Sequence, residues 1–431
     1  METKKPGIAI WILVLLNLIT VSLIYSVWQE KREIEWLIVC FSVLAIVHFY
    51  LYKQYQFTTR EIVIAALISK LPLIFSTVFL SDDVFRYLWD GFVISNGINP
   101  YLYPPNAAEL KLLADQFPMS GLINHPQVTT VYPPLSELIF FISIFFATSI
   151  VPLKLILALF DFATLFLLIR LAKTGNIRQR VLFAYALHPL ILFEVYSSAH
   201  IDMIYVFFIV TCYYFYLNKE KSKTILANLL AALVRPVAPV ILILTKRYRI
   251  SGLLLLLPML LFTSLLSSID ASGMTAYNQS WYFNNPLHDL LRELLMSSYN
   301  DIDHWFGFTP FIKQCVLIIS LVCFAFLYDF KKESFSYTIL WTSVFLLASS
   351  TTLHPWYLLI LIPFAAIREN DAILVLCYSI FFSYFVLIDY FAGNGWSLDW
   401  WVYLFEYLPF LAVLIFKGIQ RKTIQSKLID N

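Results

Sequence analysis

Charge is what this chain has least of. Asp, Glu, Lys and Arg together make up 13% of its 431 residues, about half the ordinary soluble share. With 60% of the residues hydrophobic, too little polar side chain remains to cover a water-soluble globule. A cytosolic enzyme and a disordered chain are excluded. The five cysteines (Cys40, Cys212, Cys315, Cys323 and Cys377) are odd in number, form no CxxC pair and sit inside apolar runs. They read as small buried apolar side chains, which excludes a disulfide scaffold and gives no sign of zinc or redox chemistry. The net charge is +2, so no strongly basic surface for nucleic acid is implied. There is no Walker motif, no GxSxG elbow and no HExxH, which leaves ATPase, esterase and zincin readings without support.

What is present is apolar length. Mean hydropathy is +0.75 and 17% of the residues are aromatic. An all-α polytopic membrane protein is expected, with room for about a dozen helices of ~20 residues. Apolar runs lie near 7–28, 34–52, 61–80, 152–172, 181–197, 201–218, 251–269, 311–329, 335–352, 371–391 and 401–418. The first follows Lys4 and Lys5 without a clear cleavage site and reads as a retained span. The runs 133–150, 223–245 and 356–367 have no clear assignment from length alone.

Lys and Arg in short loops set the orientation. Lys4 and Lys5 place the N-terminus in the cytoplasm, and Lys53 and Arg60 follow on the same side. Arg170, Lys173, Arg178 and Arg180 join them only if one of the runs 133–150 and 152–172 does not cross; the first is shorter and opens with Tyr132-Pro133-Pro134, so it is read as an interfacial or re-entrant helix. The run 223–245 lies between two inside loops. It therefore reads as two half-length helices meeting at Arg235-Pro236, since proline removes a helix hydrogen bond and irregular backbone at membrane depth lines a cavity. Lys331, Lys332, Arg368 and the Lys417/Arg421/Lys422 tail are inside. The outside receives 81–132, the 198–202 turn, the 235 break, 270–310, the 352–356 turn and 392–400. The whole chain, 1–431, is read as a single integral-membrane domain. It has an extra N-terminal helix pair over 1–60, an outer loop with interfacial helices over 81–150 and a second outer loop over 270–310.

The remaining ionisable residues gather on that outer side. Ser81-Asp82-Asp83-Val84-Phe85-Arg86-Tyr87 ends a span with two adjacent carboxylates. Apolar surroundings would raise their pKa and suit one of them as a base; helix capping would also explain them. Arg86 and Tyr87 stand one turn on, on the same face. In Ser198-Ala199-His200-Ile201-Asp202, His200 and Asp202 can bond a phosphate or a sugar hydroxyl, or simply face water. Arg235 stands inside an apolar run, where a charge is costly and by default functional. Its guanidinium suits bidentate phosphate binding, with snorkelling as the alternative. His354-Pro355-Trp356-Tyr357 ends another span; belt anchoring covers the two aromatics but not His354. Lys70 and the pair Lys154 and Asp161 read as structural, the latter two pairing with each other or with another helix. Glu194 is left unassigned.

With these motifs together, the chain resembles the GT-C-type integral-membrane glycosyltransferases that use polyprenyl-phosphate sugars, and among them the bacterial polyprenol-phosphate-mannose-dependent mannosyltransferases. The likeness runs through Asp82, Asp83, Arg86, Tyr87 and Gly91, then Asn99-Pro100-Tyr101 and Tyr132-Pro133-Pro134-Leu135. It continues through His200 to Asp202, Arg235-Pro236 and His354 to Tyr357. The two spans before the one leading to the acidic loop depart from many relatives and read as an N-terminal addition. The resemblance implies a GT-C-like bundle of about 12–14 transmembrane helices, with re-entrant or interfacial helices in the first large outer loop. It implies inverting transfer of a hexose, mannose among the candidates, from a polyprenyl-phosphate carrier to a hydroxyl of a glycan or glycolipid on the extracytoplasmic face of the cytoplasmic membrane. Asp83 matches the family's general base best, with Asp82 the runner-up. Arg235 and His354, then His200 and Arg86, would hold the donor phosphate; Asp202, Tyr87, Trp356 and Tyr357 would line the substrates. Metal dependence varies across the wider superfamily, and no cofactor or clear ligand cluster stands out. A transporter or lipid flippase, or a polysaccharide polymerase or ligase using a lipid-diphosphate glycan, would share the polytopic plan.

Overall fold

The computed structural model describes residues 7–27, 34–78, 80–269, 272–279, 281–296, 305–332 and 334–429. Part of the 270–310 loop, the start of the 1–60 segment and the loop inside it therefore lie outside the described residues. The regular structure of the described residues is helical, with one isolated bridge, between Phe283 and Thr352. A backbone in lipid must satisfy its own polar groups, and the apolar runs do so as helices. Five helices among the described residues are long and apolar enough to cross a membrane: Ile34–Gln54, Ile150–Lys173, Lys246–Ser267, Asp371–Ala392 and Trp400–Gln420. Shorter apolar helices accompany them, among them Asp202–Leu217, Phe311–Leu327 and Phe335–Ser349.

Several expected spans are shorter or broken. The run 181–197 is a helix over Arg180–Ala186, a stop at His188-Pro189 and a π-helical turn over Leu192–Ser197. Within the long helical stretch Asp371–Ala392, Ile380–Phe385 narrows to a 3-10 turn. These irregular stretches are buried by neighbouring helices, the condition under which non-helical backbone is tolerated at membrane depth. The run 223–245 is the expected pair, Lys221–Ala232 and Pro239–Ile243, interrupted at Arg235-Pro236. Asn228 Nδ2 donates to the Ala238 carbonyl at 3.1 Å and ties the break together.

The N-terminal pair, Ala9–Val27 and Ile34–Gln54, packs together, and Asn17 Nδ2 reaches Ser69 Oγ of the helix Thr59–Ile74 at 3.3 Å. That third helix starts with a reciprocal cap between Thr58 and Glu61. The stretch 81–150 contains two 13-residue helices, Asp83–Ser95 and Pro134–Phe146, laid against each other. The second begins with proline in its first turn, where the missing N–H costs nothing. Lys154 and Asp161 do not pair with each other. Lys154 donates to the carbonyls of Leu73 and Ser76 at 3.0 and 2.8 Å, and Asp161 takes Lys70 at 2.7 Å.

Groups from the loops read as inside meet at one end. Lys53 and Lys417 both reach Asp371, at 2.7 and 2.6 Å, and Arg178 and Arg180 both reach Glu369 at 2.5 Å.

Candidate functional site

The acidic pair opens the helix Asp83–Ser95, yet Asp82 at its N-cap position makes no side-chain capping bond. Both carboxylates are taken by Asn124, whose Nδ2 donates to Asp82 Oδ1 at 3.0 Å and to Asp83 Oδ1 at 2.7 Å. One turn on, Tyr87 points its hydroxyl at Asp83 Oδ2, 3.5 Å away. The Tyr87 ring is fixed by a stack on Phe140 and an edge contact with Tyr132. Burial first, then the neighbouring Asp82 charge, pushes the Asp83 carboxyl up to about 7, against the pull of Asn124. Burial also raises Asp82.

The 198–202 turn delivers the next two residues. Ala199 adopts φ 62 and closes the π-helical turn, so that the chain reverses into the helix Asp202–Leu217. His200 is fully buried, with Nδ1 3.8 Å from Asp83 Oδ2 and Nε2 3.5 Å from Glu194 Oε2. Its ring stacks on Trp356 at 3.7 Å, and Trp356 stacks on His354 at 4.2 Å. The column ends on Phe283, 4.8 Å from His354. Phe283 is held there by backbone bonds to Thr351 and Leu353, which pin the chain at Phe283 onto the 351–354 turn. Burial, with the charge of Arg235 adding, lowers His354 to about 3, and burial lowers His200 well below the usual imidazole range. Both rings are therefore neutral, and the positive charge of the site belongs to Arg235.

Arg235 grips Asp202 Oδ1 with Nε at 3.0 Å and Nη2 at 2.5 Å. Its guanidinium lies 4.4 Å over the Tyr357 ring, a cation–π contact. The Arg235 side chain keeps 31% exposure where Asp202 keeps 7%. A guanidinium has five N–H donors, so the pair with Asp202 orients Arg235 without exhausting it. The Leu135 N–H donates to the Leu233 carbonyl at 3.1 Å, joining this break to the helix Pro134–Phe146.

Asp82, Asp83, Tyr87, His200, Asp202, Arg235, His354, Trp356 and Tyr357 thus occupy one contiguous region, although four stretches of chain supply them. Arg86, expected with them, turns the other way. Its Nε bonds both oxygens of Asp90 at 3.0 and 3.2 Å, and its Nη1 reaches the His125 carbonyl at 3.3 Å. Asn124 was missed, because an asparagine in a polar loop carries no signal of its own. Glu194 was left unassigned and Tyr132 entered only through the Tyr132-Pro133-Pro134-Leu135 likeness; both belong here, Glu194 beside His200 and Tyr132 against Tyr87. Among the described residues no group of three or more His, Cys, Asp or Glu is arranged to hold a metal ion.

No curated protein and no solved structure matches the chain. One family does, by the description alpha-(1->6)-mannopyranosyltransferase, N-terminal domain, over residues 7–248. The matched stretch contains the acidic helix start, the His200–Asp202 turn and the Arg235 break, and leaves out His354, Trp356 and Tyr357. It takes in more than half of the sequence, and the chain accordingly belongs to the alpha-(1->6)-mannopyranosyltransferase family.

Proposed function

We propose that this mannosyltransferase takes mannose from a polyprenyl-phosphate carrier and passes it to a hydroxyl of a glycan or glycolipid at the extracytoplasmic face of the cytoplasmic membrane. Asp83 is the base. It accepts the acceptor's O–H proton as that oxygen attacks the anomeric carbon and the bond from that carbon to the phosphate oxygen breaks. The electron pair leaves with the lipid phosphate, already a weak base, so no strong general acid is needed. Arg235 meets the growing negative charge, and an N–H of neutral His354 assists; donors fixed in advance stabilise such charge most. One displacement inverts the anomeric centre, so an α-linked product calls for a β-linked donor. The clustering of Lys53, Arg178, Arg180 and Lys417 at one end supports that end as cytoplasmic and the site as outside.

The observation that carries the reading is the Asp83 carboxyl, held by Asn124, tuned to about 7 by burial, and joined through His200, Trp356 and Tyr357 to Arg235. Asp83→Asn keeps the size and removes the base. In purified full-length protein given β-mannosyl polyprenyl phosphate and a mannoside acceptor, D83N should cut kcat by about 10²–10⁴. Full transfer by D83N refutes the assignment. R235A should in addition raise KM for the donor.

A further inference from the structure

That mechanism leaves a proton on Asp83 and leaves two buried neighbours without a task. His200 has no hydrogen-bond partner at either ring nitrogen, although an orphaned buried polar group is costly. Its two nitrogens are nonetheless aimed at two carboxylates, Asp83 at 3.8 Å and Glu194 at 3.5 Å. Glu194 is fully buried, and the Tyr384 hydroxyl lies 3.0 and 2.9 Å from its two oxygens. Stacking on Trp356 explains the plane of the His200 ring but not the aim of its nitrogens. The backbone is specialised at this point too. The π-helical turn carries Glu194, Ala199 sits in the left-handed region, and the His200 N–H donates to the Glu194 carbonyl at 2.9 Å. Single π turns occur often at functional sites.

We propose that His200 and Glu194 form a proton relay at the transfer site, moving to Glu194 the proton that Asp83 takes from the acceptor. This rests on Asp83 being the base. Protonated Asp83 gives its proton to His200 Nδ1 while the ring gives its Nε2 proton to the Glu194 carboxylate. Asp83 is a carboxylate again, His200 stays neutral with its proton on Nδ1, and Glu194 holds the acid proton beside Tyr384. Once product has left, Glu194 returns its proton to Nε2 as the Nδ1 proton passes to water entering the emptied site on the Asp83 side, which restores the first tautomer and all three starting charges. The gaps are longer than the ~2.6–3.2 Å of a working proton transfer, as catalytic hydrogen bonds often are before substrate tightens them. Neither residue touches the reacting atoms; both act through Asp83 and are positioning residues.

The test uses purified full-length E194Q and H200F, in which phenylalanine keeps the stack on Trp356. Each should lower kcat about ten-fold or more, leave KM for the mannosyl donor within about two-fold, and raise the solvent deuterium isotope effect on kcat. The double variant should be no slower than the worse single, because both interrupt one path. E194D should recover part of the rate. The charged and titratable groups facing the pair (Asp83, Asp202, Arg235, His354 and Tyr384) are kept in every variant. Wild-type kcat in both singles overturns the relay. So does a raised KM or lowered thermal stability with kcat and the isotope effect unmoved, which is what a structural role gives. If E194Q fails to fold, H200F with its isotope effect decides alone. D83N run alongside separates the failures. Retained transfer in D83N sinks the base assignment, whereas a dead D83N beside fully active E194Q and H200F sinks the relay alone.

Discussion

Asp83 must be ionised to take a proton, and burial together with Asp82 holds its carboxyl at about 7. Transfer, read as kcat/KM, should therefore fall as pH drops through about 7. Asp82→Asn removes the neighbouring negative charge, the second cause of the shift, so the acid limb should move to lower pH with transfer retained. A limb that stays in place removes Asp82 as a cause of the shift, and a dead D82N beside an active D83N reverses the roles of the two aspartates. The linkage sign gives a second readout. An acid whose pKa is raised on folding binds a proton that the unfolded chain has lost, so stability falls as pH rises from about 4 towards about 7. D83N should flatten that stretch of the thermal-unfolding profile. Much of this site was legible because a charge inside an apolar run is expensive and must be there for a reason. Arg86 was not, for a local reason. Its spacing allows partners one turn back, at Asp82 and Asp83, or one turn on, at Asp90, and only the folded loop selects Asp90.

At the scale of elements, the site depends on how the helices Asp83–Ser95 and Pro134–Phe146 meet. Gly91 lies against the backbone of Phe140. A Cβ there would come 2.5 Å from the Phe140 carbonyl carbon and closer still to its oxygen. Backbone cannot move aside as a flexible side chain can, so Gly91→Ala must push Asp83–Ser95 away from Pro134–Phe146. Overpacking of this kind costs about 1–3 kcal/mol. The same shift moves Tyr87 off Phe140 and Asp83 off Asn124. G91A should thus lower the unfolding temperature in detergent and also reduce kcat, whereas a packing defect remote from the site would leave kcat per folded molecule unchanged. Proline and charge made the large divisions of the fold readable: the break at Arg235-Pro236 and the start of a short helix at Pro134 stand where the sequence puts them. The π-helical turn over Leu192–Ser197 and the 3-10 turn over Ile380–Phe385 left no such mark. Their residues are as apolar as those of a regular span, and the irregular backbone is set by what packs around it.

Across the whole molecule, one buried ion pair joins the early helices to the segment that carries the site. Asp161, fully buried in Ile150–Lys173, accepts Lys70 of Thr59–Ile74 at 2.7 Å, the Tyr185 hydroxyl at 2.8 Å and the Tyr196 hydroxyl at 2.6 Å. Tyr196 belongs to the same π-helical turn as Glu194, two residues before the strained reversal begins. The pair is not needed for apolar stability as such, since a well-packed hydrophobic substitute for a buried ion pair is often neutral or better. Removing one partner is different, because it strands a charge. Lys70→Met should therefore destabilise the protein by about 3–5 kcal/mol, and Asp161→Asn should be harmful for the same reason, leaving the lysine stranded. The double variant K70M/D161N should lose clearly less than the sum of the two, the signature of a directly coupled pair. Thermal unfolding in detergent measures all three, and transfer assays on the folded fraction add the decisive contrast. If Asp161 serves only to lock the helices, K70M/D161N keeps the wild-type KM and pH profile. If the lock also sets the register of the π-helical turn, kcat falls in the double variant while KM holds, because His200 and Glu194 have moved and Arg235 has not.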